Sequence, residues 1–232
     1  MKVILWDIDG TLLNFEEAEK QAIRKGFSIF GLGECTDEML RAYSSINKGY
    51  WKRLEKGELT KMEVLEGRFR DFFEQYSLDT AVVKEFNKAY QINLGDTVCF
   101  NDNGLEVVRT CKGKVLQYAV TNGTRVAQER KLNNSGLIHL FDGVFISDIV
   151  GYEKPSVKFF DSVFEEIGDF DRSDVVIVGD SLTSDMQGGK NAGIVTCWYN
   201  PMKQKNDLGL RVDYEICNLE EVLQVIEAPR GM

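Results

Sequence analysis

The chain of 232 residues predicts a doubly wound parallel α/β sheet carrying an inserted helical domain. Three observations predict it. Short apolar runs alternate with helical patterns from Asn101 onward, the order expected of right-handed βαβ crossovers. Those runs are apolar almost without interruption, as befits strands covered on both faces. Residues 16–93, by contrast, carry helical periodicity and little strand signal, so they interrupt an otherwise alternating chain.

The first strand is Val3-Ile4-Leu5-Trp6, which ends abruptly in Asp7-Ile8-Asp9-Gly10-Thr11. A buried charge needs a partner or a metal, so Asp7 and Asp9 belong at the strand's carboxyl end, where open α/β sheets place ligands. Gly10 bends the chain there, turning Asp7 toward a substrate and letting Asp9 approach from the side. Glu16 to Phe30 reads as a helix ended by Gly31 and Gly33. Thr36 caps a second helix running to about Leu54, broken at Gly57. Thr60 with Glu63 forms a capping box for a third, to about Tyr76. A fourth covers about Thr80 to Ile92.

Alternation then returns, with helices at Gly104 to Lys112, Arg125 to Ser135, Val157 to Ile167, Thr183 to Ala192 and Leu219 to Ile226. Strands fall between them at Val115 to Val120, Val144 to Ile146, Val175 to Val178, Val195 to Trp198 and Tyr214 to Cys217. Residues 1–14 and 94–232 therefore form the expected core domain. Residues 15–93 form a helical domain that leaves just after the first strand and lies above the strand ends.

Composition narrows the function classes. A net charge of -9 offers no basic field for nucleic-acid backbone phosphates, yet leaves room for a small phosphorylated substrate held by local charge and a metal. The five scattered cysteines make no Cys-x-x-Cys pair, which points to a reducing cytosol rather than a zinc site or disulfide framework. Neither a signal peptide nor a membrane span is expected. The single histidine, His139, reads as structural, because no nucleophile-elbow pattern accompanies any serine. The chain favours neither a monomer nor a homodimer.

Three strands end in polar residues: Asp7 and Asp9 after the first, Thr121 and Asn122 after the second, and Asp180, with Asp185 five residues on, after the fourth. All converge on one sheet edge. Asp7, Asp180 and Asp185 are hard oxygen donors suited to Mg²⁺. One carboxylate of the Asp7/Asp9 pair can attack phosphorus and the other can move the proton. Thr121 can donate to phosphoryl oxygens. Lys154, held extended by Pro155, can neutralise developing charge and tie down Asp7.

The ordered set Asp7-x-Asp9-Gly10-Thr11, Thr121-Asn122-Gly123, Lys154-Pro155 and Gly179-Asp180-Ser181-x₃-Asp185 resembles the four motifs of the haloacid dehalogenase superfamily, across the whole chain. The resemblance implies a Rossmann-like core of that type, with residues 15–93 as a C1-type cap. It implies Asp7 as nucleophile and Asp9 as general acid/base, the carbonyl of Asp9 also binding Mg²⁺. It further implies Thr121 and Asn122 on the phosphoryl group, Lys154 orienting it, and Asp180 and Asp185 at the metal. Dehalogenase members lack the second aspartate and phosphonatase members replace it, so Asp9 favours phosphoryl chemistry.

Within the helical domain, Asn47-Lys48-x₂-Trp51, Gly57, Thr60 and Gly67-Arg68-Phe69 are similar to the cap of house-cleaning pyrimidine 5′-nucleotidases of bacteria. So is Gly188-Gly189-x-Asn191-Ala192-Gly193 with Thr196-Cys197-Trp198. Thr124 departs from the aromatic that often follows the Thr-Asn-Gly motif in those relatives. Trp51 can either stack on a planar base or pack in the core of the helical domain, and Asn47 and Lys48 can contact the base edge or the sugar, the alternative for Lys48 being a solvated side chain. Arg68 and Phe69 read as helix packing. The expected function is a Mg²⁺-dependent phosphomonoesterase acting on a nucleoside monophosphate. A broad sugar phosphatase, a phosphosugar mutase and a non-catalytic binding protein on the same fold remain as alternatives.

Overall fold

The computed structural model describes residues 1–168 and 170–227. The end of the expected core domain, residues 228–232, and residue 169 lie outside the described residues. Six strands, all parallel, form one sheet in the order β3-β2-β1-β4-β5-β6. They are β1 (Val3–Trp6), β2 (Leu116–Thr121), β3 (Gly143–Ile146), β4 (Val175–Gly179), β5 (Val195–Tyr199) and β6 (Tyr214–Ile216). The chain winds outward from β1 on one side and from β4 on the other. The switch point therefore falls between β1 and β4, where such sheets open a ligand crevice.

The period of two splits each strand between two cores. Ile4, Trp6, Ala119 and Val178 pack against α5 (Gly104–Cys111) and α10 (Val222–Glu227) on one face. Val3, Leu5, Val120 and Ile177 pack against α8 (Val157–Ile167) on the other. A third core lies within α1 (Phe15–Phe30), α2 (Asp37–Glu55), α3 (Lys61–Gln75) and α4 (Val83–Asp96), where Phe27, Tyr43, Phe69, Phe72, Phe86 and Tyr90 are buried together.

Thr36 and Thr60 cap α2 and α3 as the sequence implies, and Glu63 closes the capping box. The fourth helix differs from expectation. Residues Thr80–Val82 form a single 3-10 turn, and α4 then runs through Asp96. It continues because α6 (Arg125–Ser135) packs along it: a Cβ on Gly95 would meet Ala127 O at 2.9 Å, so glycine lets the two helices close. The helix expected from Thr183 is a π-helical turn, Leu182–Met186, followed by the short α9 (Gln187–Asn191). There Ser181 Oγ accepts from Ser184 N, and Met186 N donates back to Ser181 O. A further short helix, α7 (Ser147–Val150), follows β3 directly. Among the described residues, no helix is long and apolar enough to cross a membrane.

Candidate active site

β1 delivers Asp7 to the switch point. Its N–H still donates to Val178 O at 2.9 Å, so sheet pairing fixes the main chain while the side chain projects past the strand end. Asp7 Oδ1 accepts from Lys154 Nζ at 2.8 Å, and Oδ2 accepts from Thr11 Oγ1 at 2.9 Å. Lys154 is 1 % exposed and spends all three ammonium hydrogens: on Asp7, on Asp185 Oδ1 at 2.6 Å and on Val120 O at 2.7 Å.

Asn122 grips the main chain of Lys154 from both sides. Its Nδ2 donates to Lys154 O and its Oδ1 accepts from Lys154 N, each at 2.8 Å. The amide expected on a phosphoryl group is thus engaged in holding the lysine. Thr121, buried at the end of β2, accepts from Gly123 N at 3.0 Å, which leaves its hydroxyl hydrogen free to donate.

The π-helical turn carries Asp185 back beneath β4, where Oδ2 accepts from Ser181 N at 3.1 Å. Asp180 faces solvent beside it; its N–H donates to Thr11 Oγ1 at 3.0 Å and its carbonyl accepts from Trp198 Nε1 at 2.9 Å. Gly10, at φ 93°, leaves room for this carboxylate: a Cβ there would lie 2.6 Å from Asp180 Oδ2.

Oxygens of Asp7, Asp180 and Asp185 all lie within 4.8 Å of one another. Burial first, then the charge of Asp185, pushes the Asp7 carboxyl up to about 7, against the pull of Lys154. Burial also raises Asp185 despite Lys154. Burial opposes the charge on Lys154, yet Asp185 and Asp7 outweigh it and raise its pKa. Three carboxylates thus face one ammonium. That surplus of negative charge, carried by hard oxygen donors, fits a divalent cation.

Asp9 does not point at this cluster. It turns toward α6, where Gln128 Nε2 donates to Oδ2 at 2.6 Å and Lys131 pairs with Oδ1. There it lines a narrow pocket between the strand ends and the helical segment, walled by Phe15, Trp51, Arg68, Gln91, Leu94 and Thr124. Trp51 therefore stands on the pocket wall. Asn47 does not: it is buried behind the pocket, donating to Glu19 Oε1 at 2.7 Å and accepting from Arg68 Nη1 at 2.8 Å. Nor does Lys48, an exposed residue paired with Glu16 at 2.8 Å. Phe69 is core as expected. Arg68 packs between the rings of Phe69 and Tyr90 and also reaches the pocket. His139 is exposed, and its carbonyl accepts from Lys112.

Sequence reasoning missed Gln128 and Lys131, and Thr11, which links Asp7 to Asp180. Gln128 and Lys131 stand three apart, so they share a helix face. α6 is otherwise so polar that nothing in its pattern singles out that face. It also missed Glu55, at the end of α2, which accepts from Thr183 Oγ1 at 2.5 Å. Lys61 makes a second link across the same gap, to Ser147 and Asp148 at 2.6 Å each.

Residues 1–193 match the family model of the haloacid dehalogenase-like hydrolases. The chain belongs to that family. Among haloacid dehalogenase-like relatives, YfnB of Bacillus subtilis is 34% identical over 97% of this chain and 95% of its own. A magnesium-bound crystal form of YfnB, in which interdomain movement is seen, superposes with a TM-score of 0.92, covering 98% of this chain and 99% of that one. The pyrimidine 5′-nucleotidase PynA of Streptococcus pneumoniae is 31% identical over 97% of this chain and 95% of its own. The pyrimidine 5′-nucleotidase YjjG of Escherichia coli is 30% identical over 96% of each. The Rossmann-like core expected of the family is the sheet described above.

Proposed function

We propose that this hydrolase is a Mg²⁺-dependent phosphomonoesterase, and that its substrates are nucleoside 5′-monophosphates, pyrimidine ones foremost. The observation that carries the chemistry is Asp7, a carboxylate clamped by Lys154 and Thr11 at a strand end, with Asp9 two residues on facing a separate pocket. The nucleotide preference rests on that pocket, where Trp51 and Phe15 offer aromatic surface, and on the likeness to PynA and YjjG. Five free cysteines support a reducing compartment, the cytosol.

In this reading Asp7 attacks phosphorus in line, and the bond from phosphorus to the 5′-oxygen breaks. Asp9 gives its proton to that departing oxygen. Asp9 then takes a proton from water, the water oxygen attacks the aspartyl-phosphate, and Asp7 is released with inorganic phosphate. Thr121 donates to a phosphoryl oxygen, and Lys154 holds Asp7 and offsets developing charge. Asp7, Asp180, Asp185 and the carbonyl of Asp9 would hold Mg²⁺, which when bound would supply charge to polarise a phosphoryl oxygen. Residues 15–93, with α4 through Asp96, act as a cap. The Glu55–Thr183 and Lys61–Asp148 contacts close it over the site and exclude water.

Phosphate release from a panel of monophosphates with Mg²⁺ tests the reading. Uridine, thymidine and deoxyuridine 5′-monophosphates are expected to exceed purine nucleotides and sugar phosphates in kcat/KM. Equal or sugar-favouring release removes the nucleotidase claim. No release at all removes the phosphatase claim as well.

A further inference from the structure

Two of the residues that line the pocket beside Asp9 each carry a buried polar atom without a hydrogen-bond partner. Arg68 and Gln128 both line it, and both are almost wholly buried, at 1 % and 0 % exposed. Arg68 directs Nη1 to Asn47 and Nη2 to Asn87, but its Nε–H is buried without a partner. Gln128 commits Nε2 to Asp9, and its Oε1 is likewise buried without a partner. While Asp9 is ionised the amide is held in this sense, because Oε1 would otherwise face a carboxylate. A buried donor and a buried acceptor left open beside an aromatic wall are costly unless a ligand satisfies them.

We infer that Arg68 Nε and Gln128 Oε1 read the edge of a planar heterocycle: Arg68 donates to a ring carbonyl or ring nitrogen, and Gln128 accepts from a ring or exocyclic N–H. This rests on the nucleotidase reading and assigns its base contact to residues other than Asn47 and Lys48. The chemistry matches a pyrimidine, whose edge carries a donor next to an acceptor. Trp51 supplies the stacking face. Asn47 acts one step back: its bond from Arg68 Nη1 and its bond to Glu19 fix the guanidinium plane. Gln128 has a second consequence. Because its other amide atom holds Asp9, a bound base would steady the very group that protonates the leaving oxygen.

The test perturbs the substrate before the protein. With the wild-type enzyme and Mg²⁺, kcat/KM is measured for uridine 5′-monophosphate, 3-methyluridine 5′-monophosphate and ribose 5-phosphate. Methylation at N3 removes the N–H offered to Gln128 and leaves the phosphate and sugar untouched. The expected loss is roughly 10–100-fold, the scale for leaving a buried acceptor unpaired. Arg68→Lys, shown folded by its thermal transition, is expected to bring uridine 5′-monophosphate down toward ribose 5-phosphate, chiefly through KM. If uridine 5′-monophosphate is preferred over ribose 5-phosphate but N3-methylation costs nothing, the Arg68–Gln128 assignment is overturned and the nucleotidase reading stands. If the wild type shows no preference for the nucleotide, both fall.

Discussion

Two regions of this molecule bury charged side chains, and they do so differently. At the strand ends, Asp7 is fixed by sheet pairing, Asp185 comes from the turn after β4 and Lys154 from a loop held by Asn122, and negative charge is in excess. Within the helical segment, Glu19, Asn47 and Arg68 form a buried chain of hydrogen bonds in which one acid is matched by one base. The first arrangement is poised for a cation and a phosphate. The second is nearly complete in itself, with Arg68 Nε its one atom left without a partner among the described residues, on a side chain that also lines the pocket. The difference teaches where chemistry and where selection reside: surplus charge on a rigid edge drives reaction, and a balanced network behind a pocket shapes what enters.

The largest effect is expected at the edge. Asp7→Asn keeps one oxygen to accept from Lys154, turns the position facing Thr11 into a donor and removes the nucleophile, so phosphate release falls to the detection limit while the thermal transition persists. Retained turnover breaks the assignment. Removal of metal comes next. EDTA-treated protein is expected to lose turnover, and adding Mg²⁺ is expected to raise its thermal midpoint. Saturation at about 100 times Kd is worth about 2.7 kcal/mol. Asp180→Asn should weaken that rise, and an unchanged rise would place the cation elsewhere.

Lys131→Met probes the seam between the two regions. Lys131 is buried, pairs with Asp9 and lies over the Phe15 ring. Without it Asp9 is less well placed, so first-turnover release from ribose 5-phosphate should fall roughly 10–100-fold. Release of p-nitrophenolate from p-nitrophenyl phosphate, a leaving group that needs no proton, should fall much less. Equal losses on both substrates would make Lys131 merely structural.

The smallest effect sharpens the contrast from the helical side. Burial raises the pKa of Glu19 above the ordinary carboxylate value. The folded protein therefore holds that proton to higher pH than the unfolded chain does. Its contribution to stability is present below the unfolded pKa and is lost as pH rises through the folded one. Gln cannot ionise, so the stability of Glu19→Gln relative to wild type should rise with pH across that window and then level off. Urea unfolding at a series of pH values measures it, and a difference independent of pH would show Glu19 to be fully compensated by its partners.

Much of the edge is legible in the chain. Val3–Trp6, Val175–Gly179 and the turn at Thr121 announce their strands by apolar runs that stop at polar residues, and the parallel topology brings those stops together. Less is legible where a residue's partner is set by packing. Asn122 reads as a ligand for phosphate, yet it engages Lys154 main chain from a distant loop. Thr183 to Ala192 reads as one regular helix, yet the hydroxyl of Ser181 and the carboxylate of Asp185 tie its first turn into a wider π-helical one.

By itself the sequence determined the parallel sheet, the helical segment after β1 and the set of carboxylates at the strand ends. These follow from local periodicity, from caps, and from the cost of burying a charge away from a strand end. Only the tertiary structure decided that Asp9 turns to Gln128 and Lys131, that Asn47 backs Arg68 instead of lining the pocket, and that α4 closes onto α6 at Gly95. These contacts join segments apart in the chain: the turn after β1 with α6, α2 with α3, and α4 with α6. Which polar faces meet there depends on how the helices pack, and no local pattern encodes that.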